Sequence, residues 1–146
     1  MCILSNFGER LKELMQEHEI NAPELANKLG TDRTNITRYM RGERAPLYAN
    51  FIKILNYFHC SADYLLGLKE YPVSGNFSND MPVFSERLRA VMRVCGFTQY
   101  KLVKTGKISR ADLFGWLSGK KLPGIESLVK LSTLMGCSVD YLLGRV

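Results

Sequence analysis

The stretch TDRTNITRYMRGER, residues 31–44, gathers the side chains of this chain best equipped for chemistry. Wound as an α-helix, it puts Arg33, Thr34, Thr37, Arg38 and Arg41 at i, i+1, i+4, i+5 and i+8, on one face. Ile36, Tyr39 and Met40 take the opposite, core-facing side. Three guanidinium groups and two hydroxyls on an outward face make a dense array of hydrogen-bond donors. An arginine can grip a phosphate, or bond O6 and N7 of guanine with two parallel donors. A threonine can offer its hydroxyl to a base edge or its methyl to thymine. Asn35 could serve bases or phosphates, and Arg44, beyond the array, fits a phosphate. A solvated charged surface is the alternative, and only the surroundings of the segment decide between them.

Other chemistry is poorly supported. His18 and His59 have no triad partners at a recognisable spacing, and no cluster of carboxylates emerges. Cys2, Cys60, Cys95 and Cys137 lack C-x-x-C spacing, and His59-Cys60 has no second ligand pair, so neither zinc nor a disulfide framework is expected. Such cysteine usage fits a reducing cytoplasm. Cys60 and Cys137 read as structural thiols. The string GWLSGKK, residues 115–121, is one residue short of a phosphate loop and lies within a helical pattern. The expectation is therefore a protein that is not an enzyme and has no cofactor, metal or evident small-molecule ligand.

The elements that must position the array come from an internal repeat. Shifting the sequence by 77 residues lays 7–68 on 84–145 without a gap, and 17 of the 62 pairs are identical. DYLLG occurs in both halves, at 63–67 and 140–144. Between them, KEYPVSGNFSNDMPV is rich in Pro, Gly, Ser and Asn and lacks an apolar period. The expected organisation is a first domain at 1–68, a linker at 69–83 and a second domain at 84–146. The chain has 46% hydrophobic and 23% charged residues, as in globular proteins. No apolar run is long enough to span a membrane, and residues 1–7 do not resemble a secretory signal.

Each half reads as five short helices. In the first, Asn6 and Glu9 suggest a capping box opening a helix that ends near His18. Asn21 caps the next, with Pro23 in its first turn and Gly30 at its end. Asp32 caps the helix bearing the donor array, which Gly42 closes. Pro46 precedes a fourth, and Ser61 caps a fifth.

With these residues in place, the chain resembles the lambda-repressor-like, Cro/CI-type (XRE) helix-turn-helix family. The resemblance rests on FGERLKELM, ELANKLG, TDRTNITRYMRGERAP and CSADYLLG, and on FSERLRAVM, ISRADLFGWLSGKKLP and CSVDYLLG in the second half. It implies an all-α fold of two tandem five-helix domains, with the third helix of the first in the major groove of double-stranded DNA. It further implies a transcriptional regulator, more readily a repressor, acting as a homodimer or an intrachain pseudo-dimer. Carried over by motif position, Arg33, Thr34, Thr37 and Arg38 would meet bases, and Arg41 and Arg44 phosphates. Gln99, opening the second helix of the second half, stands where the family commonly has a phosphate-contacting Gln. The free N–H groups at the starts of helices two and three would attract phosphate too. The ion pair that family members often form between helices one and three is replaced by Met15 with Met40, and by Met92 with Leu117.

The halves are not equivalent. Residues 1–68 carry eight Lys and Arg against eight Asp and Glu; residues 84–146 carry eleven against four. At the five outward positions the second half has Arg110, Ala111, Phe114, Gly115 and Ser118, a poor set of readers. Phosphate contact by Arg110, Lys120 and Lys121, or dimerisation, is the expected part of the second half. The rival reading is an antitoxin-like or partner-binding interaction module in which Phe114 and its neighbours make the contact.

Overall fold

The computed structural model describes residues 3–70, 77 and 81–146. Most of the expected linker, and Cys2, lie outside the described residues. Among the described residues every regular element is a helix, and none is long and apolar enough to cross a membrane. The chain divides into two compact units, Met1–Gly75 and Asn76–Val146.

The first unit contains α1 (Ile3–Glu17), α2 (Ala22–Leu29), α3 (Arg33–Met40), α4 (Tyr48–Phe58) and α5 (Ala62–Leu65). Phe7, Leu11, Leu14 and Met15 recur at helical spacing along α1 and are buried. They meet Leu25 of α2, Ile36 and Tyr39 of α3, and Phe51, Ile54 and Leu55 of α4 in one core. The Phe7 ring lies 6.1 Å from Tyr39 and 6.2 Å from Phe51, at angles of 71° and 54°. Gly8 follows at the crossing of α1 and α3. A Cβ there would stand 2.7 Å from the Tyr39 carbonyl oxygen and 2.8 Å from that of Met40.

Local capping fixes where α2 and α3 begin. The side chains of Asn21 and Asp32 accept the N–H of Glu24 and Thr34 at 2.9 and 3.1 Å. Gly30, at φ +69°, turns the chain out of α2 into the short link to α3. The expected capping box at Asn6 does not form, because α1 already begins at Ile3. Half-buried Ile3 and Leu4 extend the helix, leaving Asn6 in its first turn against Gly67, where the glycine leaves room for the amide.

The second unit contains α6 (Phe84–Cys95), α7 (Gln99–Gly106), α8 (Arg110–Ser118), α9 (Ile125–Met135) and α10 (Val139–Leu143). Under the 77-residue shift, α2 and α4 coincide end to end with α7 and α9. Equivalent residues also repeat two interactions. Arg10 lies 4.5 Å over the Tyr64 ring, and Arg87 lies 4.5 Å over Tyr141. Lys53 donates to the Leu29 carbonyl closing α2, and Lys130 to that of Lys107 just beyond α7, both at 3.3 Å. Where Leu29 stands in the first unit the second has Gly106, whose missing side chain is replaced by Leu134. The end of the second unit is pinned by Arg145, which is buried, donates to Asp140 at 2.7 Å and stacks 4.5 Å from the Phe77 ring.

Two outcomes follow for the first unit. Gly8→Ala forces a methyl against backbone that cannot swing aside, at a cost of about 1–3 kcal/mol. This outweighs the roughly 1 kcal/mol by which alanine favours a helix over glycine. The urea midpoint followed by circular dichroism should fall, and an unchanged or raised midpoint would contradict the close crossing. Burial pushes the Tyr48 hydroxyl from 10.0 up to about 12. The folded chain therefore holds this proton at pH values where the unfolded chain has released it. The contribution is intact below pH 10 and is lost towards pH 12. Across that window the wild type should lose melting temperature relative to Tyr48→Phe; a constant difference would exclude the effect.

Candidate nucleic-acid interface

Packing Ile36 and Tyr39 into the core turns the opposite side of α3 outward. Arg33, Thr34, Arg38 and Arg41 are exposed, Thr37 is half-buried, and all five lie on that side as the helical period requires. Thr37 Oγ1 donates to the Arg33 carbonyl at 3.1 Å. Its hydroxyl proton is thus engaged, and its oxygen can only accept, which suits an amino group on adenine or cytosine. Met40, expected in the core, is half-buried, whereas Met15 is buried.

Asn35 and Arg44 form a strut. The Asn35 amide donates to Thr31 Oγ1 at 3.1 Å and accepts from Arg44 Nη1 at 3.0 Å. One side chain thereby ties the link before α3 to the loop after it. The same positions are joined in the second unit, where Lys121 Nζ contacts Asp112 Oδ1 at 3.2 Å. This cross-link was open to sequence reading, since each pair is separated by nine residues and superposes under the repeat. A single-helix view misses it, because the second partner lies in the following loop.

The amino ends of α2 and α3 depart from expectation as anion sites. Asp32 puts a carboxylate at the start of α3, where it takes the Thr34 N–H, and Glu24 occupies the first turn of α2. Both oppose a phosphate at those ends. In the second unit Thr98 accepts from Lys101 N at 3.1 Å and Ser109 from Asp112 N at 3.0 Å, and Asp112 puts a carboxylate in the first turn of α8 as Glu24 does in α2. Gln99 opens α7 and is exposed.

The outward face of α8 differs from its sequence reading. Arg110, Ala111, Phe114 and Ser118 are exposed, but Gly115 is buried. The stem of Lys121 lies over it, and a Cβ at Gly115 would stand 2.8 Å from Lys121 Cδ. The loop after the helix, drawn back by Asp112, covers what a helical wheel leaves open. Ser118 Oγ donates to the Gly115 carbonyl at 3.2 Å. Lys120 Nζ sits 5.8 Å from the centre of the Phe114 ring. Beside this face, an open groove of about 530 Å³ runs between α7 and α8, with Tyr100, Val103 and Leu113 along it. Sequence reasoning isolated Phe114 and missed these three. The signal was available in Tyr100 and Lys104, one helical turn apart on α7.

Comparisons with known proteins match part of the chain. Residues 11–65 match the helix-turn-helix family, and all of them lie in the first unit. The chain is 37% identical over 65 residues to the HTH-type transcriptional regulator ImmR of Bacillus subtilis, an alignment covering 44% of this chain and 51% of that protein. It is 38% identical over 60 residues to the uncharacterized HTH-type transcriptional regulator YqaE of the same organism, covering 41% and 52% respectively. The chain spans about half the length of these curated relatives. No solved structure gives a significant match.

The strut yields a double-mutant test. Asn35→Ala and Arg44→Ala should each destabilise the first unit, and together cost less than their sum by about 0.5–1.5 kcal/mol. Strict additivity in urea unfolding would show that the bond contributes nothing.

Proposed function

We propose that this chain is a sequence-specific DNA-binding transcriptional regulator of the cytoplasm, a repressor by simple occupancy of its operator. It is built as two tandem five-helix helix-turn-helix domains, a reading supported by the coincidence of helix bounds under the 77-residue shift. The observation that carries the functional reading is the exposed row Arg33, Thr34, Arg38 and Arg41 on α3 of the unit matching the helix-turn-helix family. The names of the two relatives agree with it.

In this reading α3 lies in the major groove and α2 crosses the backbone. Arg33, Thr34, Thr37 and Arg38 meet base edges, Arg41 meets a phosphate, and Asn35 with Arg44 holds the helix in register. The second unit adds phosphate contacts through Gln99, Arg110, Lys120 and Lys121. Its eleven Lys and Arg against five Asp and Glu give a sequence-independent attraction that the neutral first unit lacks. Two half-sites about 34 Å apart would be occupied by a homodimer, or by the two units of one chain as a pseudo-dimer.

Selection of bound duplexes from a random pool tests this. The wild type should enrich one sequence, and Arg38→Ala should relax preference at one base position, losing about 1–3 kcal/mol of discrimination there. Lys120→Ala with Lys121→Ala should weaken all duplexes alike and make the salt dependence shallower. Failure of the wild type to enrich any sequence would defeat the sequence-specific reading.

A further inference from the structure

The α7–α8 face of the second unit carries more apolar surface than phosphate contact can use. Tyr100 and Phe114 line its groove with 64% and 61% of their surfaces exposed, beside half-buried Val103 and buried Leu113. Ammonium groups stand over both rings. Lys104 Nζ is 5.4 Å from the centre of Tyr100 and donates to its hydroxyl at 3.1 Å, while Lys120 covers Phe114. Arg110 completes the border. The equivalent positions of the first unit hold Pro23 for Tyr100, Asn27 for Lys104, Thr37 for Phe114 and Glu43 for Lys120. The aromatic, cation-rimmed trough is therefore a property of the second unit alone.

Charge selects the occupant. The second unit's surplus of six positive charges opposes a second copy of the same face. A phosphate backbone would satisfy the cations but leave two rings and a valine without apolar partners. A segment carrying both carboxylates and apolar anchors satisfies both halves of the surface. We propose that this groove docks an acidic amphipathic peptide segment of a partner protein. One aliphatic or aromatic anchor enters between Tyr100 and Phe114, and carboxylates engage Lys104, Arg110 and Lys120.

The test uses the full chain and a fluorescein-labelled, Glu-rich helical peptide bearing Leu and Phe one turn apart. A control peptide of the same charge has both anchors replaced by Ser. By fluorescence anisotropy the anchored peptide should bind at least about tenfold more tightly than the control. Tyr100→Ser with Phe114→Ser should abolish that advantage while leaving duplex binding within about twofold, because neither ring faces a phosphate in this arrangement. Lys104→Glu with Lys120→Glu should weaken both peptides. Equal binding of the two peptides by the wild type overturns the proposal. So does loss of duplex binding in the Tyr100→Ser, Phe114→Ser variant, which would make the rings a nucleic-acid surface. A chain that selects no duplex sequence but still prefers the anchored peptide defeats only the DNA-reading function.

Discussion

Everything the first unit presents outward depends on how closely α1 crosses the end of α3. With Gly8 at the crossing, the backbone of α1 lies directly against the Tyr39 and Met40 carbonyls. Phe7, the residue before, then reaches both Tyr39 and Phe51. Tyr39 accepts from Asn50 of α4 at its hydroxyl, at 3.3 Å. Helix α3 is thus held by α1, α4 and its own N-terminal cap, which fixes its rotation and hence which side chains face out. A helix free to roll by one residue, about 100°, would replace an arginine face with an apolar one.

The second unit solves the same problem with different atoms. Ser85 replaces Gly8, and Arg89 of α6 donates from Nη2 to the Leu117 carbonyl at 2.8 Å. A guanidinium thus meets the end of α8 where the first unit brings in backbone. The scaffold tolerates this exchange because helix ends need their carbonyls satisfied, and the source of the donor is secondary. Surface charge is equally free to change: Lys101 and Lys120 stand where the first unit has Glu24 and Glu43. The helix order stays, while the surface changes from an arginine-rich donor row on a neutral unit to an aromatic one on a basic unit.

This separation of scaffold from surface explains what could be read from the residues alone. Helix starts were legible where a short polar side chain stands at a β-region cap, as at Asn21, Asp32 and Ser61. The start of α1 was not, because the Asn6–Glu9 spacing mimics a capping box that the half-buried Ile3 and Leu4 override. The face of α3 was legible from its period. The face of α8 was only partly so, since Lys121 is brought over Gly115 by Asp112, a contact between a helix and the loop beyond it. Periodicity assigns side chains to a cylinder; it does not say which parts of that cylinder another segment covers.

Distributing charge and reading between two units has a consequence for specificity on the proposed function. Electrostatic attraction to phosphate strengthens binding to every duplex, correct or not, and so raises affinity without raising discrimination. If the cations surrounded the reading helix, side chains poised for bases would also be drawn to phosphates of any sequence. Asp32 and Glu24 at the amino ends of α3 and α2 work against that, placing negative charge where a phosphate would otherwise bind. The second unit, with Lys101, Lys104 and Lys120 on its surface, is then free to supply the general attraction. An acidic segment seated in its groove would compete with phosphate for those cations, lowering affinity for all duplexes while leaving the base preference of α3 as it was.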